Sequence, residues 1–218
     1  MTEKKEMENQ YESKTNEKQQ DMIREQQIVY GTSAEKTEYT IEDYFALPED
    51  QRAELIDGVF YDMATPLNIH QGIAGMLHHE LMKFREKKKG SCMPMIAPIG
   101  VQLDCDNKTV VEPDVIIVCD RSKFRKRVVY GAPDFVAEVL SPSTRKKDMT
   151  LKYYKYANAG VREYWIIDPQ HHKVIVYYLE EESAPVIYGF EDTVPVGIWD
   201  GECKIDFAAM MREIGFLE

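Results

Sequence analysis

The sequence predicts an α/β fold in which helices cover a mixed β-sheet. Apolar residues recur at helical spacing across residues 68–89, whereas residues 109–119 and 134–141 form short apolar runs that are typical of buried strands. A helical segment that begins near Ser143 and a further strand at residues 161–168 follow the last of these runs. Because a strand–helix–strand unit places its two strands parallel, we expect helices on the faces of a sheet that is not purely antiparallel.

Local signals predict the individual elements in chain order. Thr40, with the acidic residues that follow it, begins a short helix that Pro48 ends. The pair Asp57-Gly58 is typical of a tight β-hairpin, and Gly90 ends the long helix. The later strands are predicted at residues 95–103, 109–119, 134–141, 161–168 and 173–180. The core order is therefore helix–strand–strand–strand–helix–strand, with a hairpin near the N-terminus and a C-terminal extension of short strands and one helix.

Composition divides the chain of 218 residues into a tail and one domain. Residues 1–38 are rich in Glu, Lys, Gln, Asn, Thr and Ser, so we expect a disordered or loosely helical tail, with a marginal helix at 22–30. Residues 39–218 are enough for one domain with a full core. The N-terminus lacks the apolar segment of a secretory signal, and no apolar run approaches the roughly 18 residues of a membrane helix. We therefore expect a cytoplasmic protein without a membrane segment.

The four cysteines, Cys92, Cys105, Cys119 and Cys203, are scattered without C-x-x-C spacing. Cys119 lies in the most apolar of the predicted strands, which indicates a buried position. We expect all four to be reduced thiols, since such spacing predicts neither a disulfide framework nor a zinc site in a cytoplasmic protein.

The net charge of −11 argues against a general nucleic-acid coat protein, because non-specific affinity depends on neutralising phosphates. A local basic surface remains open, since fifteen of the 27 Lys and Arg residues fall in three short blocks. The first block comprises Lys83, Arg85, Lys87, Lys88 and Lys89; the second, Arg121, Lys123, Arg125, Lys126 and Arg127; the third, Arg145, Lys146, Lys147, Lys152 and Lys155. We expect the second and third blocks to contact phosphates and the first to be a solvated charge run.

Three carboxylates lie in surroundings that are unusual for a solvated charge. Glu138 is in the middle of an apolar strand, Asp114 opens the run VIIVC directly after Pro113, and Glu54 lies at the start of the hairpin. Converging carboxylates repel each other unless a cation offsets them, and hard oxygen ligands suit Mg²⁺ or Mn²⁺. We expect Asp114 and Glu138 to bind the metal. The alternatives are a structural ion pair for these two acids and, for Glu54, a solvated strand end beside Arg52.

The predicted helix after Glu138 carries a candidate cation. Asp148, Lys152 and Tyr156 are four residues apart, so they share one helix face. Lys152 can reach back over the end of the strand, where it would stabilise charge on an attacked phosphate or orient a water molecule. The alternative is a surface lysine that pairs with Asp148.

Several motifs together resemble the Uma2 family, which belongs to the PD-(D/E)XK, restriction-endonuclease-like superfamily. They are ELIDG (54–58), the helix that starts at His70, EPDV (112–115), GAPDFVAEVLSPST (131–144), D-x-x-x-K-x-x-x-Y (148–156) and GVREYWIIDP (160–169). The resemblance covers residues 39–178 and implies a restriction-endonuclease-like core with Mg²⁺-dependent cleavage of DNA. By position, Asp114 and Glu138 correspond to the two acids of the superfamily motif, and Glu54 to an auxiliary acid. Leu140 stands where the superfamily has its lysine, and the resemblance implies that Lys152 takes that role.

The sequence thus predicts a metal-dependent DNA endonuclease with Glu54, Asp114, Glu138 and Lys152 as its site residues and Mg²⁺ or Mn²⁺ as its cofactor. Two alternatives stay open: a catalytically inactive nuclease-like fold that binds nucleic acid or a protein partner, and a structural protein whose acids are simply paired. A homodimer is one option for the oligomeric state. We expect Lys152→Ala to lower cleavage while leaving folding nearly unchanged, and Lys155→Ala mainly to weaken DNA binding. His70 is given no role.

Overall fold

The structure is a computed structural model that describes residues 38–48, 50–181 and 183–218. The predicted tail, apart from residue 38, and the predicted helix at 22–30 lie outside the described residues. The helices are α1 (Ile41–Phe45), α2 (Asn68–Lys88), α3 (Arg145–Lys147), a π-helix (Asp148–Lys152), α4 (Tyr153–Ala159) and α5 (Phe207–Ile214). The strands are β1 (Ala53–Ile56), β2 (Val59–Asp62), β3 (Met93–Ile96), β4 (Val101–Gln102), β5 (Val115–Val118), β6 (Val129–Tyr130), β7 (Phe135–Val139), β8 (Glu163–Asp168), β9 (Lys173–Tyr178), β10 (Val186–Gly189), β11 (Thr193–Pro195) and β12 (Lys204–Asp206).

A six-stranded sheet in the order β10-β9-β8-β7-β5-β3 forms the centre of the fold. Only β7 and β8 run parallel in it, and the other neighbours are antiparallel. The parallel pair is the one that the strand–helix–strand order predicts, so the α/β class with a mixed sheet is confirmed. Alternate residues of the strands face two cores: α2 and α5 cover one, and the segment from the π-helix to α4 covers the other, together with the hairpin.

The hairpin β1–β2 has a tight turn, and its strand β1 pairs with the segment before β5. Asp57 and Gly58 have φ of 51° and 78°, the left-handed values that a tight hairpin turn of this type requires. Backbone hydrogen bonds in both directions, of 2.8 and 2.7 Å, join Leu55 to Val110. This pairing places Glu54, the neighbour of Leu55, close to the segment that leads into β5.

Two strands are shorter than the sequence predicts. The strand expected at 95–103 is divided into β3 and β4, and the one expected at 109–119 is regular only in β5. Pro98 and Pro113 lie at the interruptions, and proline has no N–H to donate to a β-ladder. The bend between the two parts of the second segment is where Asp114 lies.

Cys92 and Cys119 form a disulfide, so the prediction of four reduced thiols is wrong for this pair. They flank the cross-strand pair Met93–Val118 of the antiparallel strands β3 and β5, which brings residues 27 positions apart in sequence opposite each other. Cys105 and Cys203 are free cysteines. The cytoplasmic location stays a prediction. Across the described part of the chain, no helix is both long enough and apolar enough to cross a bilayer.

Candidate active site

A cleft of about 460 Å³ opens where the C-terminal end of β7 meets β1, the start of α2 and the segment before β5. It is lined by all four predicted site residues. The charged or ionisable side chains in its walls include Glu54, His70, Asp114, Glu138, Lys147, Asp148 and Lys152. Residues from four separate stretches of the chain therefore converge in one place.

Glu138 is buried in the sheet and has two hydrogen-bond donors. Its Oε1 accepts from the Lys152 ammonium at 2.8 Å and from the Tyr156 hydroxyl at 2.6 Å. The side chains of Glu138 and Lys152 are each only 4% exposed. The strand itself offers Glu138 no basic neighbour, and the helix after β7 supplies one from fourteen residues away.

Glu54 binds two lysines at once. Its Oε2 lies 2.7 Å from Lys147 Nζ, its Oε1 lies 2.7 Å from Lys152 Nζ, and Oε1 also accepts the backbone N–H of Glu112 at 3.0 Å. Burial by itself would raise the pKa of Glu54, but the two ammonium groups outweigh it and hold this pKa at about 2. Glu54 is therefore an ionised anchor for both lysines, and the interpretation as a solvated strand end is wrong.

The π-helix explains how Lys147 and Lys152 reach the same carboxylate. In an α-helix each residue turns the chain by about 100°, so side chains five residues apart point in different directions. The π-helix Asp148–Lys152 interrupts the α-helix predicted for this segment. Its i→i+5 hydrogen bonding brings residues five apart onto one face. Sequence reasoning assigned Lys147 only to a phosphate-binding block, since helical periodicity alone does not direct it toward Glu54.

The cleft contains more acidic than basic groups. Five carboxyl groups line it, from Glu54, Glu112, Asp114, Glu138 and Asp148, together with three basic groups, from Arg52, Lys147 and Lys152. Burial raises the pKa of Glu138 to about 8; Lys152 opposes this shift, and the nearby Asp148 and Asp114 carboxylates add to it. Burial would lower the pKa of Lys152, but Glu138 and Glu54 raise it well above its ordinary value, so this lysine stays charged.

Asp114 has partners that the sequence did not indicate. Its Oδ2 accepts the backbone N–H of Val139 at 2.8 Å and lies 3.1 Å from His70 Nε2. His70 is buried in the first turn of α2, and its Nδ1 has no hydrogen-bond partner among the described residues. Nothing in the spacing of residues 70 and 114 links them, so only the packing of α2 beside β7 could reveal this contact.

The donor set fits a magnesium-like cation held by two carboxylates. The contacts of Asp114 and Glu138 among the described residues use only one oxygen of each, Oδ2 and Oε1, which leaves Oδ1 and Oε2 for a metal. The residues that the structure describes contain no group of three or more His, Cys, Asp or Glu side chains arranged to hold a metal. Mg²⁺ is commonly bound through one or two carboxylates, with waters and substrate phosphates as its other ligands. Two carboxylates are therefore sufficient for such a site.

The third basic block faces the interior more than the solvent. Arg145 pairs with Asp168 at 2.7 Å, and Lys155 lies 2.6 Å from both Asp57 and Asp104. With Lys147 and Lys152 also in ion pairs, four of its five members compensate protein carboxylates. The geometry therefore does not support the expectation that this block chiefly contacts phosphates. The arginines of the second block are exposed, as is Lys126.

The sequence model of the Uma2 family, described as "Putative restriction endonuclease", matches residues 41–198. The chain belongs to the Uma2 family. The predicted resemblance is confirmed, and the matched segment of this Uma2 protein contains Glu54, Asp114, Glu138 and Lys152.

Two further comparisons extend this result. The Uma2 chain is 25% identical to the uncharacterized protein slr1290 of Synechocystis sp. over 167 residues. The aligned segment covers 75% of this chain and 86% of that protein. The fold of this Uma2 chain is similar to that of a "putative nuclease belonging to DUF820" from Anabaena variabilis, whose crystal structure is known. The TM-score is 0.66 at 19% identity, over 80% of this chain and 98% of the other. The structural likeness supports the predicted restriction-endonuclease-like fold.

Proposed function

We propose that this Uma2 protein is a metal-dependent endodeoxyribonuclease that hydrolyses phosphodiester bonds. The observation that carries the proposal is the position of Lys152: its ammonium is buried between Glu54 and Glu138, at the wall of a cleft that Asp114 also lines. A cation in a cleft where Asp114 and Glu138 each keep one oxygen for a metal suits the hydrolysis of a phosphodiester. The family description as a restriction endonuclease supports the same reaction class.

Each residue has a distinct role in this proposal. Asp114 and Glu138 would hold Mg²⁺ or Mn²⁺, which supplies Lewis-acid polarisation of a phosphoryl oxygen and activates water. Lys152 takes the place of the missing lysine at position 140, where the buried Leu140 side chain can neither hold water nor offset phosphate charge. Its ammonium stabilises negative charge on the attacked phosphate. Glu54 orients the ammonium group of Lys152.

Two residues outside the predicted set support these roles. The Val139 N–H donates to Oδ2 of Asp114, and His70 Nε2 lies 3.1 Å from the same oxygen. Together they orient the other oxygen of Asp114 toward the cleft. Such partners of a metal-binding side chain stabilise its orientation and raise metal affinity. DNA would approach across the exposed second basic block, where its phosphates can displace counterions.

Plasmid cleavage tests the proposal directly. Supercoiled plasmid is incubated with the protein in Mg²⁺, in Mn²⁺ and in EDTA, and nicked and linear products are measured for the wild type and for Glu138→Gln. We expect metal-dependent nicking that Glu138→Gln abolishes. Glu163→Gln is the matched control, because Glu163 is also a buried strand glutamate but binds Trp165 and the backbone of residues 197 and 198, outside the cleft.

The inactive binding module remains the second candidate, and the observation that favours it is Leu140 at the lysine position. DNA binding without nicking in any metal would support that alternative and contradict the proposed activity. Equal nicking by Glu138→Gln and the wild type would remove the site as described. The homodimer stays a prediction.

A further inference from the structure

A second cavity, of about 400 Å³, adjoins the catalytic cleft. Leu67, His70, Ser141 and Pro142 border both spaces, so the two spaces lie side by side. The second cavity is therefore within reach of a group attached to a phosphate in the cleft.

The second cavity is mainly apolar, with a few polar groups. Its apolar residues are Leu67, Ile69, Leu140, Pro142 and Pro169. The polar groups include the ion pair of Arg145 with Asp168, at 2.7 Å, and the exposed Gln170. His172 also lines the cavity, and its ring stacks on Phe190 with 5.3 Å between centroids and planes 6° apart. Apolar walls with a small number of hydrogen-bonding groups are typical of a site for a planar heterocycle.

We propose that this cavity binds one unstacked nucleobase of the substrate strand, next to the phosphate in the cleft. The inference rests on the proposed function, which it deepens by naming the substrate class. A base and its phosphate are joined through one sugar, and the two spaces share four lining residues, so a nucleotide matches the arrangement. Apolar side chains and an aromatic ring can contact the faces of the base, while Arg145 and Gln170 can hydrogen-bond its edge.

A nucleobase site of this kind favours DNA whose bases are free to leave the helix. A base inside a duplex is stacked and paired, so it can enter the cavity only after it leaves the helix. Single-stranded or locally melted DNA does not require that step. The preferred substrate is therefore DNA whose bases are already unstacked around the cleavage position.

A pair of oligomers with equal charge isolates the contribution of the base. Fluorescence anisotropy, without added metal, measures the affinity of the full chain for single-stranded oligothymidylate and for an abasic deoxyribose-phosphate oligomer of the same length. The phosphate contribution is the same for both. We expect the wild type to bind oligothymidylate about tenfold more tightly, as contacts to one base commonly provide.

Leu67→Asn tests the cavity without threatening the fold. Leu67 is 59% exposed, and it precedes α2 in an extended conformation with no side-chain cap. Asparagine is a favourable residue at this position, so the variant should fold at least as well. It should lose most of the preference for thymidylate and keep its affinity for the abasic oligomer. The matched control is Ile187→Asn on the edge strand β10, 60% exposed and part of neither cavity, which should behave as the wild type.

The outcomes separate the two proposals. Equal affinity of the wild type for both oligomers, or a duplex bound more tightly than the single strand, would overturn the nucleobase site even if plasmid is cleaved. A preference that Leu67→Asn removes, together with no nicking in any metal, would retain the site and contradict the nuclease activity. Loss of the preference in Ile187→Asn as well would also overturn the assignment of this cavity.

Discussion

Replacing Lys152 by methionine removes the ammonium group that contacts three carboxylates of the cleft. Lys152 Nζ lies 2.7 Å from Glu54, 2.8 Å from Glu138 and 3.5 Å from Asp148, with its side chain 4% exposed. Methionine keeps most of the buried stem but leaves these carboxylates with less compensation. The sequence-based prediction that the loss of the Lys152 side chain leaves folding nearly unchanged does not agree with these contacts.

The size of the effect follows from which carboxylates can adapt. Removal of one partner of a buried ion pair typically costs about 3–5 kcal/mol of unfolding free energy. Glu54 keeps its 2.7 Å contact with Lys147, and Glu138, whose pKa of about 8 already favours the protonated form near neutral pH, retains that proton more firmly once the ammonium is gone. Both adaptations reduce the penalty, so we expect a loss near the lower end of the range, about 3 kcal/mol.

Urea unfolding of the wild type and Lys152→Met at neutral pH measures this loss. Lys155→Met is the matched control, because Lys155 also contacts two carboxylates, but Asp57 is 62% and Asp104 is 24% exposed. Exposed ion pairs contribute about 0–1 kcal/mol, so the control should unfold close to the wild type. Circular dichroism identifies a temperature at which all three proteins are folded.

At that temperature, plasmid nicking by Lys152→Met should fall on the order of 10²-fold or more, the effect of losing one electrostatic stabiliser. The reasoning on stability is refuted if Lys152→Met and Lys155→Met unfold alike. The assignment of Lys152 to the reaction is refuted if the folded Lys152→Met protein nicks DNA at the wild-type rate.

Three further predictions concern metal, pH and salt. Asp114→Asn should abolish Mn²⁺ binding in calorimetry, and His70→Ala should weaken it about tenfold because Asp114 loses an orienting partner; unchanged affinities would contradict the two-carboxylate site. The pKa of Glu138 is raised from 4.5 to about 8, so its contribution to stability is full below about pH 4.5 and is lost as the pH rises through about 8. Glu138→Gln should therefore show a smaller decline in unfolding free energy between about pH 5 and pH 9 than the wild type, and parallel declines would refute this linkage. Arg125→Ala with Lys126→Ala should make DNA affinity less salt-dependent, by about one to two units in the slope of log affinity against log salt, whereas an unchanged slope would place the DNA elsewhere.

The order of the elements could be predicted from sequence because each depends on a short-range pattern. The spacing of Ile69, Ile73 and Leu77 predicts α2, and the pair Asp57-Gly58 predicts the hairpin. The same patterns placed Glu138 within a buried strand. These signals depend on residues a few positions apart, so they can be recognised without knowing how the rest of the chain folds.

The partners of the charged residues were decided by tertiary structure. Lys147 and Glu54 are 93 positions apart, and their contact requires the hairpin to pack beside the helical segment after β7. The π-helix that directs Lys147 inward, the contact of His70 with Asp114 and the disulfide between β3 and β5 arise in the same way. Local periodicity states which face of an element is buried, but only the order of the strands and the packing of the layers determines which side chains meet there. The sequence by itself therefore determined the fold class, the three acids and Lys152 as candidates, and the tertiary structure determined their contacts and added Lys147 and His70.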